Sequence, residues 1–367
     1  MSEPRWHVST RKGLFVVEGS GSAARITDAH FVGDTVALAH VDQRDGTWYA
    51  ALDHGHFGVK LHRSADEGAT WTEIAVPAYP PKPEGFVDID MWGRERDWAL
   101  TGIWALESAT DADGALWCGT APGGLFRSDD RGDSWQLVES LWHHENRVRW
   151  NGGGLDMPAL HSICVDPRDP RSVVVAVSSG GVWRTRDLGA TWAPHTIGMV
   201  ALYVPPEQAE WPEHQDPHCV VQSPSDPDRF WCQHHMGIWR SDDDLGRWNQ
   251  LHVEPSSFGF PVAVHPTEPD TAWFVPAHSD QKRAPIDGRV VVTRTRDAGA
   301  TFEVLTDGLP QTHAYDLVLR HALDVSDDGE SLALGSTTGN LWVTDDQGDH
   351  WSEVANHLPP IYAVRSV

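Results

Sequence analysis

Basic residues are scarce in this sequence of 367 amino acids. It has 28 Lys and Arg residues against 53 Asp and Glu residues, so the formal net charge at pH 7 is −25. Proteins that bind nucleic acid need cationic side chains to neutralise phosphates, and anionic membrane surfaces attract the same side chains. The charge balance therefore argues against both as partners. The oligomeric state stays open at this level.

Cysteines and long apolar runs are also scarce. The four cysteines, at positions 118, 164, 219 and 232, form no CxxC pair of the kind that holds zinc. No run of about 18 apolar residues occurs, so we expect no membrane span. The first ten residues, MSEPRWHVST, show no apolar run and no cleavage site of a secretory signal. We therefore expect a cytoplasmic protein with free thiols.

Tryptophan and histidine, in contrast, are abundant, with 19 and 21 residues. Part of the tryptophan belongs to an eight-residue pattern that recurs six times: Ser or Thr, any, Asp, any, Gly, two of any kind, then an aromatic residue. The copies are SADEGATW (64–71), SDDRGDSW (128–135), TRDLGATW (185–192), SDDDLGRW (241–248), TRDAGATF (295–302) and TDDQGDHW (344–351). The fourth copy is degenerate, since Leu245 takes the glycine position.

The pattern predicts a hairpin turn. Asp accepts hydrogen bonds from turn amides, and Gly adopts backbone angles that other residues resist. Each copy belongs to a unit of four strands; in the third unit we predict strands over 161–165, 172–177 and 182–186, with the fourth after Trp192. Four-stranded units of about 40–50 residues are typical of propeller blades.

The chain ends supply one more blade. Residues 360–364 read as a lone inner strand, and residues 6 to about 27 supply two or three strands that lack an inner one. Pairing the two ends closes the ring and removes the open sheet edge. The sequence therefore predicts an all-β, seven-bladed β-propeller that forms a single domain over residues 1–367.

The turn motif resembles the Asp-box of BNR-repeat proteins, which include sialidases, xyloglucan-specific glycosidases, sortilin-type receptors and a photosystem II assembly factor. The whole chain is also similar to bacterial propellers often labelled exo-alpha-sialidase or BNR-repeat glycosyl hydrolase. The stretches that carry this similarity include GGGLDMPALHSICVDPRDP, QHHMGIWRS, SSFGFPVAVHP and HAYDLVLRHALD. The resemblance implies a propeller and suggests a glycosidase.

One face of the predicted propeller carries the irregular loops. Connections between blades are long at 76–102, 139–160 and 196–217, and a further long loop covers 278–288 within blade five. Loops held by a rigid scaffold commonly carry function. We expect these insertions to surround a pocket over the central channel.

Histidines map to the same face. His161 and His218 stand at the starts of inner strands, and His234 and His235 occupy a loop of blade four. Imidazole is the commonest metal ligand, so we predict that these four bind a divalent metal, namely Zn, Mn, Fe, Ni or Cu. Because neighbouring strand residues point to opposite faces, only one of His234 and His235 should point inward unless the turn rotates both. The carboxylates available to such a site are Glu145, Asp156, Glu207, Asp216, Asp280 and Asp316.

Further residues on this face suit catalysis and substrate binding. The candidate catalytic residues are Asp316, His313, Glu145 and Tyr315, and the candidate substrate-binding residues are Arg147, Arg149, Arg283 and Tyr203. Arginines bind anionic groups as bidentate donors. Asp316 and Arg320 lie four residues apart on a predicted strand and therefore share a face. Two interpretations fit equally well: the two side chains orient each other in the site, or they form a structural ion pair.

Three functions fit these observations. The first is a metal-assisted hydrolase or lyase that acts on a small organic substrate. The second is an Asp-box glycosidase, although the Arg-Ile-Pro segment in which sialidases resemble one another is here Arg25-Ile26-Thr27. The third is a non-catalytic scaffold that binds or assembles other proteins.

Overall fold

Seven four-stranded antiparallel sheets surround a central channel in the computed structural model, which describes residues 3–90, 92–152 and 157–367. The chain is therefore a seven-bladed β-propeller, as the sequence predicts. Among the described residues, no helix is long and apolar enough to cross a membrane.

The strands follow one another from the channel outwards in each blade. Blade one contains β4 (Thr35–Asp42), β5 (Thr47–Asp53), β6 (Val59–Ser64) and β7 (Thr72–Ile74), and blade two β8 (Gly102–Ser108), β9 (Leu116–Ala121), β10 (Leu125–Ser128) and β11 (Gln136–Leu137). Blade three contains β12 (Ala159–Val165), β13 (Val173–Ser178), β14 (Gly181–Thr185) and β15 (Ala193–Pro194). Blade four contains β16 (Pro217–Gln222), β17 (Phe230–His234), β18 (Gly237–Ser241) and β19 (Asn249–Leu251). Blade five contains β20 (Gly259–Val264), β21 (Ala272–Pro276), β22 (Val292–Thr295) and β23 (Glu303–Leu305), and blade six β24 (Leu323–Val325), β25 (Leu332–Gly335), β26 (Leu341–Thr344) and β27 (Ser352–Ala355).

Both chain ends build the closing blade. Its inner strand is β28 (Ile361–Ser366), and the N-terminal segment adds β1 (Arg5–Thr10), β2 (Gly13–Glu18) and β3 (Arg25–His30). Val8 of β1 lies opposite Val364 of β28 in antiparallel register. The predicted closure is confirmed, and each inner strand in the described part of the chain pairs with a neighbour in its sheet.

Short helical turns occupy the connections. The one α-helix found in the described part of the chain is α1 (Glu139–Trp142), and the 3-10 turns are Gly21–Ala23, Gly55–Phe57, Arg147–Arg149, Pro206–Gln208, Pro212–His214 and Ile286–Gly288. Two of these turns lie in the insertion between blades three and four. The insertions are therefore built from turns and extended segments rather than from further sheets.

All six repeated turns share one hydrogen-bond scheme. In blade three, Thr185 donates its hydroxyl proton to Asp187, the amide of Gly189 donates to Thr185 Oγ1 at 2.9 Å, and the amide of Thr191 donates to Asp187 Oδ1 at 2.8 Å. The degenerate copy forms the same turn, because Leu245 adopts a φ of 66° and its amide donates to Ser241 Oγ. This conformation strains a leucine, and its side chain is 1% exposed in the apolar core.

Two of the turn aromatics form a hydrogen bond to the preceding blade. The indole of Trp135 in blade two donates to the Ala75 carbonyl oxygen of blade one at 3.0 Å. Trp248 in blade four likewise donates to the His195 carbonyl oxygen of blade three at 2.9 Å. Apolar clusters between neighbouring sheets form the core, which leaves the channel free for polar residues.

Candidate metal centre

The inner strands share an irregularity at the irregular-loop end of the channel, which we call the loop face. On each of six inner strands the register shifts by a β-bulge, and the extra residues are Ala37, Trp104, His161, His218, Phe260 with Pro261, and Tyr362. Bulges re-aim side chains and are frequent beside functional sites. They bring residues of six blades to one level of the channel, and Arg320 of blade six joins them ahead of β24.

Three side chains of blade four converge at this level, and we call them the Asp216 triad: Asp216, His218 and His235. One possible ligand atom from each lies within 4.8 Å of the other two. His218 Nε2 lies 3.7 Å and His235 Nδ1 3.5 Å from Asp216 Oδ2. The spacing suits three ligands that surround one ion, with open positions left for other ligands.

The local chain explains this convergence. Asp216 and His218 flank Pro217, where β16 starts, and the bulge at His218 turns its ring toward Asp216. His235 follows the end of β17, in the two-residue turn that leads to β18. The amide of His235 donates to the Asp216 carbonyl oxygen at 2.9 Å, which fixes the two segments to each other.

Hydrogen bonds orient the ligand atoms. His218 Nδ1 lies 2.6 Å from the Gly259 carbonyl oxygen and donates its proton there, which leaves Nε2 as the lone-pair nitrogen that faces Asp216. Metal-binding histidines are held in this way by carbonyl oxygens. Asp216 Oδ1 and His235 Nδ1 are buried and have no hydrogen-bond partner in the described part of the chain. Two polar atoms of the triad are therefore left for a ligand.

Charge in the triad is set by burial and mutual attraction. Burial raises the pKa of Asp216, but His218 and His235 outweigh it and hold this pKa well below its usual range. Burial lowers the pKa of His218, so its ring is neutral at pH 7. Burial lowers the pKa of His235 as well, yet Asp216 outweighs burial and raises it. The carboxylate is thus ionised, as a metal ligand must be.

Aromatic rings surround the triad. The ring of Phe260 stacks on His218 at 4.7 Å, and Phe258 lies 5.6 Å from His218 and 5.7 Å from His235. Tyr203, from the insertion between blades three and four, meets His235 edge-on at 5.2 Å. The imidazole of His235 is 21% exposed, so the triad has an opening on this side.

The other two predicted metal ligands lie outside the triad. His234 is buried in blade four, where its ring nitrogens each lie 3.0 Å from a backbone amide, that of Asp216 and that of Met236. It therefore positions the backbone of Asp216. Of the two neighbouring histidines, only His235 joins the triad; it lies in the turn after β17, whereas His234 is the last residue of that strand. His161 Nδ1 contacts Ser162 Oγ at 2.9 Å, and its Nε2 is buried without a partner among the described residues.

The predicted catalytic residues do not gather in one place. Asp316 is buried and accepts hydrogen bonds from Ser336 at 2.7 Å and Asn340 at 2.6 Å. It does not pair with Arg320 in the described structure, because residues 315–319 form no strand and the alternation that would align the two is lost. Tyr315 is 67% exposed. His313 and Glu145 are also exposed, and Asp156 lies outside the described residues.

Two of the predicted substrate-binding arginines support the insertions. Arg147 is buried, pairs with Asp88 at 2.6 Å and lies 4.2 Å over the Trp142 ring, so it fastens the first insertion to the second. Arg149 pairs at 2.8 Å with Glu213, which is buried in the third insertion. Tyr203 is 47% exposed beside His235.

Arg283 does reach the channel. It pairs with Asp280 of its own loop at 2.7 Å and lies 5.6 Å over the Phe260 ring. It lines a cavity of about 340 Å³ at the loop face, which we call the upper cavity. The walls of this cavity include Trp104, Phe260, Arg320 and Tyr362, and its size falls in the range of small-molecule sites. Phe260 separates it from His218 by one ring.

A second cavity of about 390 Å³, the lower cavity, lies below it and shares Arg320 and His321 with it. Near the C-terminal ends of the inner strands it contains Glu107, Asp324 and Arg365, with Arg365 3.9 Å from Glu107. Burial raises the pKa of Glu107 to about 7, and Asp324 adds to this while Arg365 opposes it. His40 lies 3.9 Å from Glu107 on the remaining side.

The sequence predicts Asp216 only as one of several available carboxylates, and it does not single out the channel residues Glu107, Asp324 and Arg365. One signal was present for Asp216, since Asp216-Pro217-His218 places two ligand types two residues apart at the start of an inner strand. The channel residues occupy the ends of inner strands that the blade repeat already located. The inner strands of three different blades bring Glu107, Asp324 and Arg365 together, so this charged cluster is recognisable only in the tertiary structure.

Comparisons with known proteins support the fold. No family model matches the chain. One curated relative, a xyloglucanase from Paenibacillus sp., is 39% identical over 75 residues, which make up 20% of this chain and 7% of that protein. The match thus covers a small part of both proteins. The Asp-box resemblance remains a prediction.

Similar solved structures also support the propeller fold. An ancestral GH74 enzyme matches at a TM-score of 0.60 and 15% identity, over 88% of this chain and 38% of its own. YCF48 bound to D1 peptide matches at 0.54 and 13%, over 92% and 88%. A functionally unknown protein from Desulfotomaculum acetoxidans DSM 771 matches at 0.58 and 10%, over 99% and 98%. At such identities the likeness concerns the fold alone.

Proposed function

We propose that this protein is a metal-dependent enzyme, a hydrolase or lyase for a small organic substrate that binds at the loop face, beside both the Asp216 triad and the upper cavity. The observation that carries the proposal is the Asp216 triad, in which three ligand atoms lie within 4.8 Å of one another. Asp216 Oδ2, His218 Nε2 and His235 Nδ1 would hold a divalent cation. Three protein ligands and open positions are typical of catalytic rather than structural metal sites.

A cation held there would polarise a substrate oxygen or lower the pKa of a bound water. The chain supplies the remaining requirements. Gly259 fixes the ring of His218 through its carbonyl oxygen, and His234 fixes the backbone of Asp216. Phe258 and Phe260 restrict water around both imidazoles, which strengthens electrostatic interactions at the site.

Elemental analysis of protein purified without chelators tests the proposal. We expect about one equivalent of Zn, Mn, Fe, Ni or Cu in the wild type, or after incubation with each ion, and loss of that metal in His218→Ala. His278→Ala is the matched control, because His278 is an exposed histidine on the same face and lies outside the triad. Equal metal contents in wild type and His218→Ala would overturn the proposal. Bound iron with strictly oxygen-dependent turnover would overturn the assignment as hydrolase or lyase.

A glycoside hydrolase is the second candidate, and Glu107 is the observation that favours it. Glycosidases commonly use one carboxyl group that is protonated near neutral pH together with a second carboxylate. Glu107, with a pKa raised to about 7, and Asp324 both line the lower cavity. The assay is turnover of xyloglucan, a sialoside and a panel of fluorogenic glycosides. Activity that is lost in Glu107→Gln and kept in His218→Ala would favour this candidate over the first.

A further inference from the structure

Arg320 is a cation without a carboxylate partner in the described structure. No Asp or Glu oxygen described here lies within 4.0 Å of its guanidinium, and its Nε is buried without a hydrogen bond. Among residues 3–90, 92–152 and 157–367, the one hydrogen-bond acceptor of its guanidinium is Ser178 Oγ, which lies at a long 3.4 Å from Nη2. A partly desolvated charge in this state is costly unless something else pairs with it.

Aromatic rings hold this guanidinium in place. Its Cζ lies 5.1 Å from the centre of the Trp104 ring and 5.7 Å from that of Phe260. Trp104 and Phe260 are bulge residues of different blades, so two rigid strands fix the position of one side chain. Burial lowers the pKa of Arg320 and Asp216 raises it, yet an arginine stays protonated at neutral pH.

Arg320 lies where a ligand in the upper cavity would contact it. It lines the upper cavity with Arg283 and Tyr362, and Phe260 is the ring that touches both Arg320 and His218. A molecule in the upper cavity would therefore meet aromatic walls and two guanidinium groups, of which Arg283 is already paired with Asp280. Arg320, in contrast, forms no ion pair within the described structure, so its N–H donors are available to a ligand. Planar guanidinium groups bind carboxylates through two parallel hydrogen bonds.

We propose that Arg320 is the anchor for a carboxylate group of a small organic molecule bound in the upper cavity, with Trp104 and Phe260 packing against the body of that molecule. The proposal deepens the proposed function, since it assigns the substrate class: small carboxylates with an apolar or aromatic body. The Phe260 ring contacts both Arg320 and His218 of the Asp216 triad. A substrate of this class would thus be held at one end by Arg320 near the metal centre.

The test compares each carboxylate with the neutral amide of the same shape, using benzoate with benzamide and phenylacetate with phenylacetamide. Binding is measured by titration calorimetry or ligand-observed NMR. We expect the carboxylate to bind at least about tenfold more tightly, which is the range for a hydrogen bond to a charged group. Arg320→Met should remove this preference. Arg289→Gln, an exposed arginine of the same face outside the cavity, should keep it.

Two further measurements keep the proposal and the proposed function distinguishable. The titrations are repeated in His218→Ala, in which a carboxylate has no complete metal site to bind. The preference for the carboxylate over the amide could persist in His218→Ala and disappear in His218→Ala/Arg320→Met. This result would support the carboxylate subsite even if the protein holds no metal. Metal in the wild type with equal binding of acid and amide would overturn the subsite alone.

A folding defect is controlled by a second variant. Arg320→Lys keeps the charge and loses the planar fork, so we expect a preference between those of the wild type and Arg320→Met. Circular dichroism and the melting temperature establish that each variant is folded. Unchanged preference in a folded Arg320→Met protein would overturn the proposal.

Discussion

Removal of one imidazole from the Asp216 triad should remove most of the stabilisation by a divalent metal. A ligand that binds only the folded state at one hundred times its Kd adds about 2.7 kcal/mol to the free energy of unfolding. A chain of 367 residues unfolds with an entropy of about 0.8 kcal/mol/K. The melting temperature of the wild type should therefore rise by about 3–4 °C.

His218→Ala leaves Asp216 and His235 as the only ligands of the triad. If this weakens binding a hundredfold, the same metal concentration equals the new Kd and adds only about 0.4 kcal/mol, a rise of about 0.5 °C. The structure makes a compensating ligand difficult to supply, since both ring nitrogens of His234 already contact backbone amides. Loss of the third ligand should therefore appear in full as a smaller metal-induced rise in melting temperature.

The assay is differential scanning calorimetry of chelator-treated protein with each metal added in turn. His278→Ala controls for non-specific binding to surface histidines and should melt as the wild type does, with and without metal. Equal metal-induced shifts in wild type and His218→Ala would refute the reasoning, because the ion would then bind elsewhere. The absence of any shift with all five metals would refute it as well.

Other predictions concern the channel, a turn and an insertion. Burial raises the pKa of Glu107 from 4.5 to about 7, so stability present below pH 4.5 is lost as the pH rises to 7; Glu107→Gln should lack this loss in urea unfolding. Thr185→Val leaves the buried amide of Gly189 without its acceptor and should cost about 1–3 kcal/mol of unfolding free energy, with metal binding unchanged. Arg147→Met removes the shorter arginine contact of the buried Asp88 carboxylate, which keeps Arg96 at 3.5 Å and the Trp98 indole at 2.9 Å. Loss of this one charged hydrogen bond should cost about 1.5–3 kcal/mol and increase hydrogen exchange within residues 76–102; protection equal to that of wild type would contradict this role.

Local rules explain why the blades were predictable. The repeated turn is built from side chains and amides that lie within seven residues, so its pattern is legible in the sequence. In blade three the predicted strand over 161–165 corresponds to Ala159–Val165, and the one over 182–186 to Gly181–Thr185. The closing blade was predictable as well. The C-terminal segment supplies an inner strand without a sheet, and the N-terminal segment supplies a sheet without an inner strand, so pairing the two is the arrangement that leaves no open edge.

The candidate site was predictable only in part. His218 and His235 were expected among the metal ligands, and the structure brings both to Asp216. Arg147 is engaged with Asp88 instead of facing the channel. That pairing joins two insertions that are 59 residues apart in sequence, and no periodic pattern describes either of them. Irregular segments take their conformation from such long-range contacts, which a sequence pattern does not encode.

The sequence by itself determined the number of blades, the closure and the face that bears the irregular loops, because these follow from short repeats and from the need to pair every inner strand. The tertiary structure alone decided which side chains meet. A bulge at His218 turns one ring toward Asp216, and bulges at Trp104 and Phe260 place two rings around Arg320. A bulge depends on how an inner strand registers with its neighbour under the curvature of the ring, so it is set by packing across the whole propeller.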